Sequence, residues 1–159
     1  MRVGIGYDIH ALRKGRRLVL GGVQVPFSKG LFGHSDGDVL FHAAVDAVLG
    51  AMGEDDIGTH FPDSDPHLKG AGSILFVKKV VSMMKKKGWK LLSLDSVIIA
   101  EAPKLSPYKA MIKKNLAKAF GIPASNVGLK AKTNEGFGAV GRNQAIACHV
   151  VVCLGNKKK

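Results

Sequence analysis

The sequence predicts an α+β fold, one domain spanning residues 1–159 in which a mixed β-sheet carries helices packed on one face, and three observations lead there. The chain of 159 residues has the length of one ordinary domain, with no linker-like shift in composition and no internal repeat. Apolar residues make up 46% of it against 23% charged, the balance of a packed globular protein rather than a disordered one. The apolar period then switches between two and 3.6 in the order strand, hairpin, helix, helix, strand, helix, strand, strand, which calls for helices laid on a sheet.

Taken in order, residues 2–10 alternate almost strictly, with Val3, Ile5, Tyr7 and Ile9 on one side and Gly4, Gly6, Asp8 and His10 on the other, the mark of a half-buried strand. Residues 17–20 and 23–27 flank Gly21-Gly22, which reads as a hairpin turned by glycine. From Ser35 the period becomes helical. Ser35 with Asp38 three residues on has the form of a capping box, and Val39, Leu40, Ala43, Ala44, Ala47, Val48 and Ala51 make one apolar stripe. Residues 53–72 are a polar stretch without period, and loops of that length in compact domains tend to be functional. Residues 73–87 form an amphipathic helix ended by Gly88, and residues 89–100 a strand with Val97, Ile98 and Ile99 at its centre. Ser106-Pro107 opens a third helix that Gly121 closes. Residues 127–133 and 144–154 are strands, separated by the loop 134–143.

Composition excludes several functions. The best apolar run, residues 145–154, contains His149 and falls far short of the roughly 20 residues of a membrane helix, and no signal-like segment leads the chain, so a cytoplasmic protein without membrane association is expected. Cys148 and Cys153, five apart in an extended run, point to opposite faces and act as small apolar residues. The formal net charge of +12 invites a nucleic-acid reading. Its placement argues otherwise, because Lys78, Lys79, Lys85, Lys86 and Lys87 share one helix and Lys113, Lys114 and Lys118 another, as solvated faces do. No aromatic residues interleave with them and no helix-turn-helix or finger spacing occurs, so no nucleic-acid partner is expected. Attraction of an anionic substrate is the milder use of the charge.

Asp8 and His10 leave their strand on the same side, and His42 sits on the following helix with Asp38 and Asp46 four residues to either side. One carboxylate and two imidazoles form the three-ligand set of a catalytic zinc, with Asp38 or Asp46 as the partner that orients His42. A surface Asp-x-His and a solvated helix histidine are the plainer readings of each piece alone. His34, Ser35, Asp36 and Gly37 lie where a helix N-terminus favours phosphate, although Ser35 also suits a simple cap. Gly4-x-Gly6 lacks the third glycine of a dinucleotide site, Ile9 standing there, and no Walker sequence is present.

Asp8-Ile9-His10, His34-Ser35-Asp36-Gly37-Asp38 with His42, Asp56-Ile57-Gly58 followed by Phe61-Pro62-Asp63-Ser64-Asp65-Pro66, Ala102-Pro103-Lys104, and Lys130 to Glu135 with Gly141-Arg142 together resemble the 2-C-methyl-D-erythritol 2,4-cyclodiphosphate synthase family, in order and over nearly the whole chain. The resemblance implies a homotrimer of non-mevalonate isoprenoid synthesis with active sites between subunits. Its substrate would be 4-diphosphocytidyl-2-C-methyl-D-erythritol 2-phosphate, whose 2-phosphate attacks its own β-phosphorus and expels CMP. By that pattern Asp8, His10 and His42 hold zinc, and Glu135 helps hold a second ion, magnesium or manganese. His34 and Thr133 steady the pentacoordinate phosphorus, and Ser35 contacts phosphate. Asp56, Ile57, Gly58, Phe61, Pro62, Asp63, Ser64 and Asp65 surround the methylerythritol phosphate. Ala100, Pro103, Lys104 and Leu105 form the cytidine pocket, Lys132 and Asn134 flank Thr133 against the diphosphate, and Arg142 faces the trimer axis, where an isoprenoid diphosphate can bind.

Two departures stand out: Lys132 occupies a position that is often threonine in the family, and Ala139 one that is often phenylalanine, with Phe137 nearby. Two other functions use the same residues. One is a zinc-dependent phosphoesterase in which a metal-bound water attacks, and the other a basic nucleic-acid module with a structural metal.

Overall fold

A computed structural model describes residues 1–33, 35–62, 70 and 72–156. Its strands are β1 (Arg2–Lys14), β2 (Leu18–Leu20), β3 (Val23–Val25), β4 (Lys29–Leu31), β5 (Trp89–Ile99), β6 (Val127–Lys132) and β7 (Ala145–Asn156). Its helices are α1 (Val39–Met52), α2 (Ile57–His60), α3 (Ile74–Lys86), α4 (Lys109–Phe120) and α5 (Gly138–Gly141). The main sheet runs β4-β1-β7-β5-β6, antiparallel except for β5 beside β6, so the sheet is mixed as expected. β2 and β3 form the separate hairpin, with Leu20 opposite Val23. Gly21 (φ 57) and Gly22 (φ 72) make its two-residue turn, which needs a left-handed backbone at both positions.

The way β1 meets α1 positions everything else. A Cβ on Gly4 would lie 2.0 Å from the Ala47 carbonyl oxygen, and one on Gly6 1.9 Å from that of Ala43, so strand and helix touch backbone to backbone. Alanines at 43, 47 and 51, all buried, keep the helix side of this contact equally small. The side of β1 that is buried is therefore its glycine side, while Val3, Ile5, Tyr7 and Ile9 are 42–69% exposed. Val151 of the neighbouring strand extends that exposed apolar face.

Several boundaries differ from the sequence reading. α1 starts at Val39 and its N-cap is Asp38, not Ser35. The Asp38 carboxylate accepts from the N–H groups of Leu40 and Phe41 and also from those of Gly21 (2.8 Å) and Gly22 (2.6 Å), so one side chain ties the helix to the hairpin turn. Burial pushes its carboxyl up, to about 6, against the pull of those N–H groups. α4 begins at Lys109, after a 3-10 turn over Ser106–Tyr108 in which Ser106 makes no cap. β4, α2 and α5 have only three or four residues each, too few to set up an apolar period.

α3 buries Phe76, Val77, Val80, Val81 and Met84, and α4 buries Ile112, Leu116, Ala117 and Phe120, both in the same core as α1. At about 25 cal/mol per Å² of apolar surface removed from water, this face is the main source of stability. Gly121 (φ 69) ends α4 as expected. Cys148 is buried and Cys153 partly exposed, both free.

Candidate active site

Three ligand atoms converge where the end of β1 passes α1. Asp8 Oδ2 lies 2.9 Å from His10 Nε2 and 3.1 Å from His42 Nδ1, and the two nitrogens are 3.1 Å apart. His10 Nδ1 sits 2.8 Å from the Phe32 carbonyl oxygen, which can only accept, so that nitrogen carries the proton and Nε2 faces the cluster with its lone pair. A carboxylate and imidazole lone pairs gathered this closely repel one another unless a cation lies among them. Donor type and spacing fit a four-coordinate ion, whose ligand atoms at about 2.0–2.2 Å from the metal stand roughly 3.3–3.5 Å apart and need only a small outward adjustment. Burial pushes the Asp8 carboxyl up, but bonds and charge from His10 and His42 outweigh it and hold the group well below the usual carboxylate range. His10 shows the reverse: burial pulls it down, and Asp8 outweighs that and raises it above the ordinary histidine value.

The carboxylates expected to orient His42 do something else. Asp38 is spent on backbone N–H groups, as described above, and Asp46 accepts from Ile57 N–H at 2.7 Å, tying α2 to α1. His42 Nε2 instead lies 2.8 Å from Ser73 Oγ and 3.1 Å from Ser35 Oγ. Ser73 contacts Asp36 in turn. Ser73 reads in sequence as nothing more than a helix start, and only the fold brings it across to α1.

Further residues of the expected site connect to this cluster through α1 and α3. Asp56 caps α2 by accepting from Thr59 N–H at 2.9 Å, which leaves Ile57 and Gly58 beside it one helical turn beyond His42 through the Asp46 link. Phe61 is buried and stacks on Phe76 at 4.9 Å between centroids, and Phe76 lies 5.9 Å from the His42 ring. Pro62 follows on the surface. His34, Asp63, Ser64 and Asp65 lie outside the described residues.

A second group gathers at the far edge of the sheet. Thr133 Oγ1 donates to Glu135 Oε1 at 2.6 Å, Asn134 N–H reaches Glu101 at 3.3 Å, and Ala100 N–H donates to the Lys132 carbonyl at 2.9 Å. Ala100 and Leu105 are buried, Pro103 half-buried, and Lys104, Lys132 and Arg142 exposed. Glu135 has φ 50, a backbone region that non-glycine residues seldom adopt and one that is common at ligand-binding turns. Ile9, Ala147, Ile99 and Lys132 stand side by side across β1, β7, β5 and β6, so the two groups share a row but are three strand spacings, about 14 Å, apart within one chain.

The YgbB family profile matches residues 1–155. A 2-C-methyl-D-erythritol 2,4-cyclodiphosphate synthase of Desulfosudis oleivorans is 53% identical over 154 residues, covering 97% of this chain and 92% of its own. A solved 2C-methyl-D-erythritol-2,4-cyclodiphosphate synthase in a CDP-bound form superposes with a TM-score of 0.90 at 37% identity, over 97% of this chain and all of that one. A Plasmodium falciparum structure with CDP superposes at 0.87 and 35% identity, over 99% and 97% of the two chains.

Proposed function

This chain belongs to the YgbB family, and we propose that it converts 4-diphosphocytidyl-2-C-methyl-D-erythritol 2-phosphate to the 2,4-cyclodiphosphate with release of CMP, as a zinc-dependent homotrimer of the cytoplasm. The observation that carries the reading is the convergence of Asp8, His10 and His42. One oxygen of the 2-phosphate bonds to the β-phosphorus, and the bond from that phosphorus to the oxygen bridging it to the α-phosphorus breaks, its electron pair leaving with CMP. Nucleophile and electrophile belong to one substrate, so the protein's work is to hold an anionic chain folded on itself. Unit charges about 4 Å apart repel by roughly 4 kcal/mol at an effective dielectric near 20, and positive charge and fixed donors offset that.

Asp8, His10 and His42 would hold zinc, and Glu135 a magnesium or manganese ion. Such ions supply Lewis-acid charge to phosphate oxygens. Ser35 Oγ accepts from Gly37 N–H at 3.2 Å and stands 3.1 Å from His42 Nε2, where its hydroxyl would turn to a phosphate oxygen of the substrate. His34 and Thr133 steady the phosphorus at its crowded stage, and Lys132 and Asn134 flank it. Asp56 to Gly58 and Phe61 to Asp65 enclose the methylerythritol phosphate, while Ala100, Pro103, Lys104 and Leu105 receive the cytidine.

Two features support the trimer. The exposed Val3, Ile5, Tyr7, Ile9 and Val151 form an apolar sheet face of the kind another copy covers. The Asp8, His10 and His42 cluster on β1 and the residues around Ala100 and Thr133 stand three strand spacings apart in one chain, which supports a second chain completing the site. Arg142, exposed at the end of α5, would then bind an isoprenoid diphosphate on the axis.

Phosphorus NMR of the substrate incubated with zinc and magnesium tests the reading. CMP with a cyclic diphosphate is expected, and CMP with an acyclic product would select the phosphoesterase instead. No observation favours a nucleic-acid module.

A further inference from the structure

The Asp8, His10 and His42 cluster is settled on the His10 side by the Phe32 carbonyl, but nothing on α1 decides which ring nitrogen of His42 carries its proton. The decision comes from α3. Ser73 is fully buried and stands at the N-cap position of α3, where a serine ordinarily accepts a hydrogen bond from its own helix, yet its side chain makes no such bond. Its hydroxyl instead contacts Asp36 Oδ1, its backbone N–H donates to Asp36 Oδ2 at 3.1 Å, and Oγ lies 2.8 Å from His42 Nε2. A carboxylate only accepts, so the hydroxyl hydrogen of Ser73 belongs to Asp36. What remains for His42 is a lone pair on Ser73 Oγ, the nearer of the two hydroxyls at Nε2 (2.8 Å against 3.1 Å for Ser35 Oγ), and Nε2–H meets it.

We infer that Ser73 and Asp36 are positioning residues for the metal centre: Asp36 orients the Ser73 hydroxyl, Ser73 fixes His42 as the Nε2–H tautomer, and Nδ1 is thereby left bare toward Asp8 and His10. The inference rests on the metal reading above and deepens it, since it assigns the relay that prepares the third ligand. Groups in this position typically set 10–100-fold in metal affinity. The serine gives up its helix cap in exchange, a local rule broken beside a functional site.

The test uses zinc itself as the probe, with affinity read by competition against a chelator. Ser73→Ala is expected to weaken zinc binding 10–100-fold, Ser73→Thr to keep it near the wild-type value, and Asp36→Asn to fall between, because an amide can donate into Oγ and turn the hydroxyl around. Nitrogen-15 NMR of the metal-free wild type should show His42 protonated on Nε2, and Ser73→Ala should show a mixture of tautomers. A purely structural role for Ser73 would lower the melting temperature and leave affinity and tautomer unchanged, and that result overturns the inference. Should Ser73→Ala fail to fold, a wild-type His42 protonated on Nδ1 overturns it equally. Failure of the wild type to bind zinc would refute the metal reading itself, a distinct outcome.

Discussion

On the inner side of β1, Gly4 and Gly6 bring the strand within backbone contact of α1, and the next two residues on that side, Asp8 and His10, reach His42. On the outer side Val3, Ile5, Tyr7 and Ile9 face away from the core. The comparison shows that the apolar side of an alternating strand is not always the side its own chain buries. The inner side gives up burial area for proximity, because a side chain at 4 or 6 would hold α1 away and separate Asp8 and His10 from His42. The outer side keeps apolar area, which is useful only when another molecule covers it.

Substitutions on the two sides should therefore differ in kind. Gly6→Val places atoms inside the space of the Ala43 carbonyl and should cost about 4 kcal/mol or more, enough to prevent folding, as read by circular dichroism and urea unfolding. A folded variant of ordinary stability would break the comparison. Ile5→Asp acts on assembly: sedimentation should show monomers in place of trimers, CMP release should fall with it, and the stability of the separate chain should change by no more than about 0.5 kcal/mol. A trimer that survives the aspartate would show that this face is not where copies meet. The smallest effect is a pH response of the inner side. His10 would have to be neutral to ligate, and in the metal-free fold Asp8 raises its pKa above the ordinary histidine value, so protons compete with a metal for it. Zinc affinity should rise as pH climbs through that raised value and fall about tenfold for each pH unit below it. The same group has the opposite effect on the metal-free fold, whose share of stability from His10 is present below pH 6.5 and lost above the raised value. An affinity that does not change as pH climbs from 6.5 through the raised value would remove His10 from the ligand set.

What could be read from the sequence follows the same division. The order of the longer elements and the glycine turn at 21–22 depend on period and short spacing, which are local properties, and the fold agrees with both; that Asp8 and His10 meet His42 depends on β1 packing against α1, which spacing does not give. The buried side of β1 could not be read, because alternation marks two sides without saying which one a helix will approach. Ser35 and Asp38 both suit a cap, and the choice of Asp38 depends on Gly21 and Gly22 lying within reach, a contact made only in the folded chain. Asp46 stands one turn from His42 on the same helix, a spacing that suggests a partner, but its carboxylate accepts from the Ile57 N–H instead. Ser73 carries no local sign of its task at all, since its partners Asp36 and His42 are more than 30 residues away.

The sheet register also sets an order in which the molecule can be built. β1 finds β4 after a short excursion, but its other neighbour is β7, with Arg2 opposite Leu154. Long-range pairing of this kind is slow, since the chain between must be ordered before the contact repays it. Asp8, His10 and His42, the residues that could hold a metal, all precede residue 43. A metal ion can therefore clasp β1 to α1 while the strand still lacks its second neighbour, shortening the search that remains. Refolding from urea should run faster with zinc present than with a chelator, and the gain should disappear in His42→Ala.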